Sequence, residues 1–137
     1  MKPRLVLDVA TLTGAMSVAL GGAATGVFSS DSGSWSQLEA AGAWTGDRVW
    51  RMPLYQHYTD MMNKAPLADL NNISVRPGGG SCTAAAFLRQ FTRCDKWLHL
   101  DIAGVMENNG DVSYISSGMS GRPTRTLAHF VAGLVVK

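Results

Sequence analysis

Two short apolar runs constrain this chain more than anything else in it. Residues 4–10 read RLVLDVA and residues 97–103 read WLHLDIA. Each is apolar along most of its length, without the alternation of a strand with one wet face, so each predicts an interior strand covered on both sides. Strands of that kind belong to largely parallel sheets flanked by helices. The first run follows Met1, Lys2 and Pro3 directly. Independent domains more often open on dispensable polar residues, so the expectation is that further sequence lies upstream.

The rest of the chain supplies the other layers. ATLTG at residues 10–14 leads into AMSVALGG and then ATGVFSS, which has the small residues of a tight turn followed by a short strand over residues 25–29. Trp35, Leu38 and Ala41 recur at three-residue steps after Ser and Asp cap candidates, which predicts a helix over residues 34–45. RVWRM at 48–52 alternates like a strand and stops at Pro53; residues 55–64 form a second helix candidate. Residues 67–81, with Asn71, Asn72, Pro77 and three consecutive glycines, predict an irregular loop of the length that is usually functional. SCTAAAFLRQF at 81–91 predicts a buried helix, and residues 123–136 a closing apolar one. Strands alternating with helices give an α/β fold of three layers, α/β/α, around a mostly parallel, mixed sheet. No repeat, linker or low-complexity tract interrupts it.

Composition removes several function classes. Apolar side chains make up 46% of the 137 residues and charged ones 16%, so the chain can bury a core and lacks the signature of disorder. The net charge of +2 is spread without a run of like charges, which speaks against nucleic acid and against an acidic membrane surface. No apolar stretch approaches the roughly 18 residues of a spanning helix, and no signal peptide opens the chain. The reading is a soluble, cytoplasmic protein. Two cysteines, Cys82 and Cys94, are too few for a disulfide framework, and free thiols are expected.

Few residues offer chemistry by themselves. His57, His99 and His129 fall in three different elements, with no HExxH, CxxC or paired His spacing, which argues against a single-zinc site. A two-metal site needs several converging carboxylates. Asp8, Asp69 and Asp101 are the candidates, and for Asp8 and Asp101, set within apolar strands, a hydrogen bond to backbone is the favoured reading. No GxSxG elbow is present, and a covalent mechanism has no positive support. Cys82 at a helix start could carry a lowered thiol pKa, although a packed thiol is commoner. GGGSCTAAA could hold an anion at a helix start, but it lacks the lysine of a phosphate loop and reads better as tight backbone packing. In open α/β sheets ligands bind beyond the carboxyl ends of strands. That places ATLTGA, after the first strand, and Ala103, Gly104 and Met106, after the later one, at one edge if the two strands run parallel. Core packing accounts for these residues equally well.

The strings DVATLTGAMSVALG, TGDRVWRMPLYQHY, ADLNNI, GGSCTAAAFLRQF, WLHLDIAGVM and SGMSGRPTRTL, in this order, closely resemble the C-terminal part of the leucyl aminopeptidases, the cytosol aminopeptidase family of two-metal exopeptidases. The resemblance covers essentially all of residues 1–137 and marks them as the C-terminal portion of a catalytic domain. It implies a separate N-terminal domain, a homo-hexamer, peptide substrates, and removal of N-terminal residues with Leu favoured. It also implies two zinc or manganese ions that activate a bridging water. The family's metal ligands and its catalytic Lys and Arg, the last in an NTDAEGR motif, have no counterpart in these residues, so no catalytic or metal-ligating residue is assigned here. What the resemblance carries over is the substrate side. Thr11, Leu12 and Gly14 match residues that hold the substrate, and Ala103 and Met106 match residues lining the pocket for its first side chain. Two classes stay open: a fragment of an active aminopeptidase, and a truncated, inactive product that acts as an assembly or binding partner.

Overall fold

The structure, a computed structural model, describes residues 2–74, 76–110 and 112–135. Its central sheet has four strands: β1 (Val6–Ala10), β2 (Thr25–Ser29), β3 (Val49–Arg51) and β4 (Trp97–Asp101). They lie in the order β1-β4-β2-β3. β1 runs parallel to β4 and β2 parallel to β3, while β2 and β4 are antiparallel. The sheet is therefore mixed with parallel pairing predominant, as the apolar runs predict. β4, at the centre, is buried at all five residues; β1, with one partner strand among the described residues, is only half-buried. Edge position, rather than composition, sets that difference.

Helices cover both faces. Side chains alternate across β4, so Leu98 and Leu100 point to one layer and Trp97, His99 and Asp101 to the other. On the first side, Leu98 and Leu100 meet Val27, Trp35, Leu38, Ala41, Val49 and Phe130, drawn largely from α2 (Ser32–Thr45) and α5 (Thr124–Val135). On the second, Trp97 and Phe28 meet Met16, Cys82 and Ala85 from α1 (Gly14–Leu20) and α4 (Gly80–Arg89), and Tyr58 of α3 (Gln56–Met62) packs against them. The fold is thus α/β in three layers.

The helix boundaries follow local chemistry. Asp31 caps α2 by accepting from the Ser34 amide and hydroxyl at 2.7 and 2.6 Å, which starts the helix two residues before the sequence expectation. Gly46, at φ 73°, closes it in the left-handed conformation that favours glycine. α1 is one of the elements not expected from the sequence. GAMSVAL carries no assigned element in the sequence reading, but the Thr13 hydroxyl accepts from the Met16 amide at 3.1 Å and starts a helix there. That helix lies close against the backbone after β4: a Cβ on Gly104 would stand 2.2 Å from the Gly21 carbonyl oxygen, so only glycine fits. The polar stretch after β4 holds a small antiparallel pair, β5 (Glu107–Asn108) with β6 (Gly118–Met119). No helix among the described residues is long and apolar enough to cross a membrane.

Candidate functional site

The parallel pairing of β1 and β4 places Ala10 beside Asp101, so both strands end at the same edge of the sheet. The condition set by the sequence reading is met. The ladder continues one step further, where the Ile102 amide donates to the Ala10 carbonyl at 2.9 Å. Beyond it the two segments diverge, one into Thr11-Leu12-Thr13 and α1, the other into Ala103-Gly104 and the loop bearing Met106.

Asp101 joins the diverging segments. Its side chain is buried, and its Oδ1 accepts from the Leu12 amide at 3.1 Å and the Ala103 amide at 3.2 Å, with the Thr13 amide at 3.5 Å. Its Oδ2 accepts from the Thr13 hydroxyl at 2.6 Å. The expectation that Asp101 bonds backbone is therefore met. Asp8, an aspartate on the neighbouring strand, differs from that expectation: its partners are side chains, the Trp97 indole N–H at 2.7 Å and His99 Nδ1 at 2.5 Å. His99 is fully buried between the Trp97 and Phe28 rings, at centroid distances of 6.0 and 5.9 Å.

Each residue carried over from the resemblance has a definite place. Thr11, Leu12 and Gly14 are exposed, while Ala103 and Met106 are half-buried. The Leu12 amide is engaged by Asp101, whereas the carbonyls of Thr11 and Leu12 accept no hydrogen bond among the described residues. Gly14 has no atom within 4 Å of where a Cβ would lie, so packing within the chain does not require a glycine there. Leu12 and Thr13 line a cavity of about 410 Å³ with Asn72, Pro77, Gly78, Gly80 and Thr83. Ala103 and Met106 are not among its lining residues. The structure thus brings Leu12 and Ala103 onto one carboxylate without putting all five residues around one cavity.

The loop bearing Met106 is held from a second direction. Ser120 donates from its amide to the Met106 carbonyl at 2.9 Å and from its hydroxyl to the Val105 carbonyl at 2.5 Å. Arg122, two residues on, reaches the buried Asp47. Sequence reasoning did not foresee this support or the role of Asp101, because the partners lie 75 and 88 to 89 residues apart. An isolated acid within an apolar strand is the only signal that marked Asp101.

The remaining candidates behave as packing groups. Burial raises the Cys82 thiol pKa, and a hydrogen bond with Tyr58 only partly opposes it, so the helix start does not activate this cysteine. Among the described residues, no group of three or more His, Cys, Asp or Glu side chains is arranged to hold a metal ion. Asp8, Asp69 and Asp101 do not converge into one.

Known proteins with these features are numerous. The model for the cytosol aminopeptidase family, catalytic domain, matches residues 1–128. The cytosol aminopeptidase of Xenopus tropicalis is 57% identical over 133 residues, covering 96% of this chain and 26% of that protein. The human cytosol aminopeptidase is 57% identical over 129 residues, covering 94% of this chain and 25% of that protein. Among solved structures, a mutant of tomato leucine aminopeptidase superposes with a TM-score of 0.83 at 35% identity, over 93% of this chain and 24% of that one. The chain spans about a quarter of the length of the curated relatives it matches. Over that quarter the chain agrees in sequence and in fold with these proteins, and it belongs to the cytosol aminopeptidase family, within its catalytic domain.

Proposed function

We propose that the protein carrying this chain is a metalloaminopeptidase of the leucyl type, releasing N-terminal amino acids from peptides, and that residues 1–137 supply the substrate side of its site. The observation that carries the reading is the shared strand edge: β1 and β4 end together, and the segments that follow them meet on Asp101. In this reading the unengaged Thr11 and Leu12 carbonyls receive N–H donors of the peptide. Gly14 leaves room for close approach of the substrate backbone. Ala103 and Met106 face the first side chain, where small residues and an adaptable thioether suit branched aliphatic groups.

The two zinc or manganese ions that the resemblance implies find no fitting donor set among the described residues. No step assigned to this chain passes through them. What these residues contribute is binding and orientation, which lower the barrier only together with groups that activate water. A homo-hexameric, cytoplasmic enzyme belongs to the same proposal: the relatives are cytosol aminopeptidases by name, and the hexamer is what the resemblance implies.

The test is turnover of leucine p-nitroanilide by the protein as the cell makes it, with manganese or zinc added. Hydrolysis that a chelator abolishes supports the reading; a rate equal to the blank overturns it.

A further inference from the structure

We infer that Asp101 is a positioning residue for the substrate site, a clamp that sets the spacing between the segment that holds the peptide backbone and the segment that forms the side-chain pocket. The inference rests on the aminopeptidase reading above and adds to it a residue outside the substrate-contacting set.

The geometry is specific. Asp101 is 1% exposed and lies at the last position of the central strand. One carboxylate oxygen receives amides from both segments, Leu12 at 3.1 Å and Ala103 at 3.2 Å; the other receives the Thr13 hydroxyl at 2.6 Å. An ionised carboxylate can accept all of these at once, and bonds to an ionised acceptor are stronger than neutral ones. The same Thr13 hydroxyl oxygen accepts the Met16 amide, so the clamp extends into the first turn of α1. By taking the Leu12 amide, Asp101 fixes the orientation of the Thr11–Leu12 peptide unit and so of the Thr11 carbonyl; the Thr13 amide, at 3.5 Å from the same oxygen, belongs to the unit that carries the Leu12 carbonyl. By taking the Ala103 amide, it fixes where the pocket wall starts. No other side chain among the described residues bonds both segments.

A role confined to folding makes a different forecast from a role in positioning. If Asp101 only stabilised the chain, replacing it would reduce the amount of active enzyme, lowering kcat for all substrates while KM stayed the same. If it positions the site, the surviving enzyme binds worse and discriminates less. Asp101→Asn is nearly isosteric: it keeps an oxygen for the two amides but turns an NH2 toward the Thr13 hydroxyl, whose proton then loses its acceptor. Thr13→Val breaks the same bond from the other side, and Thr13→Ser restores it.

The experiment uses the protein as the cell makes it and has two independent arms. In the first, hydrogen exchange is followed in peptides spanning residues 10–16 and 102–106. Asp101→Asn and Thr13→Val should both raise exchange in the two segments together while α5 keeps its protection, with Thr13→Ser close to the parent. In the second, KM and kcat are measured with leucine and alanine p-nitroanilides. The Asp101→Asn and Thr13→Val variants should lose about 10- to 100-fold in kcat/KM, mainly through KM, as displacements of supporting groups do, and the preference for Leu over Ala should narrow. Unchanged exchange in either segment, or a uniform loss of kcat with KM and preference intact, overturns the inference. An inactive parent protein overturns the aminopeptidase reading instead, and the exchange arm still decides whether the clamp exists.

Discussion

Arg122 donates from Nε to Asp47 Oδ1 at 2.5 Å, with the two side chains 7% and 0% exposed. The pair ties TGDRVWRM to SGMSGRPTRTL, two of the sequence blocks that carry the family resemblance, across 75 residues. Arg122 also donates from Nη1 to the Gly22 carbonyl at 2.6 Å, so one guanidinium fastens the loop after β6 to the turn between α1 and β2. Asp47 Oδ2 has no hydrogen-bond partner among the described residues, and Arg125 Nε stands 3.9 Å away.

Breaking this pair from one side leaves a buried charge without its counterpart, which costs about 3–5 kcal/mol in comparable cases. Arg122→Met alone and Asp47→Asn alone should each lower the urea midpoint strongly. The double variant should lose less than the sum of the two, because it removes both charges together. Arg122→Lys should not restore the parent, since a lysine cannot reach Asp47 and Gly22 in the same forked geometry. Additive losses in the double variant would show that the pair is uncoupled.

The α2 cap gives the fold a defined sensitivity to acid. The hydroxyl and amide of Ser34 both donate to Asp31 and hold its pKa below the ordinary 3.8. A carboxylate whose folded pKa is depressed contributes stability that is fully present above the unfolded value and lost as pH falls through the folded one. The thermal midpoint should therefore drop, partly through this group, as pH falls below the ordinary 3.8. Asp31→Asn, which keeps a capping oxygen but does not titrate, should flatten that part of the profile, whereas Asp31→Ala should lower the midpoint at neutral pH. Identical acid profiles for the parent and Asp31→Asn would remove the cap from the account.

How legible each element was depends on whether its signal is local. β4 was readable because five consecutive residues are buried and the sequence there has no wet face. Trp35, Leu38 and Ala41 of α2 were readable because all three turn to the same core. α1 was not, because GAMSVAL carries no apolar stripe: Met16 is buried but Val18 is 89% exposed. Its start depends on Thr13, whose hydroxyl is itself held by a residue 88 positions away. The order β1-β4-β2-β3 is likewise a matter of distant pairings that composition does not encode. For the site, the strand-end rule pointed to ATLTGA and to Ala103, Gly104 and Met106, the resemblance gave the five residues their roles, and Asp101 was visible only as an acid in an apolar strand.

Gly14 offers a test in which stability and function should move in opposite directions. It begins α1, its φ is not positive, and a Cβ there would touch nothing within 4 Å. Gly14→Ala should stabilise the fold by about 0.4–1 kcal/mol by restricting the unfolded chain. If a peptide backbone packs on this glycine, the added methyl should also raise KM for leucine p-nitroanilide by about tenfold. A raised melting temperature with unchanged KM would mean that substrate does not approach Gly14.

The pocket wall can be tested through preference rather than rate. Val105 is buried in the core while its neighbours Met106 and Gly104 are only half-buried, and the Met106 backbone is held at both ends, by the Ile102 carbonyl at 2.9 Å and the Ser120 amide at 2.9 Å. The Met106 side chain can therefore be changed without freeing its loop. In a pocket, one methylene changes discrimination by about 1–3 kcal/mol. Met106→Ala should enlarge the space and shift preference from Leu toward Phe or Trp; Ala103→Leu should fill it and favour Ala substrates. If Met106 served only to pack the core, its removal would lower stability and slow every substrate alike. Ratios of kcat/KM for Leu, Phe and Ala substrates separate the two, because loss of folded enzyme cancels in a ratio and loss of shape does not. Ratios that match the parent in both variants would refute the placement of Ala103 and Met106 at the substrate's first side chain.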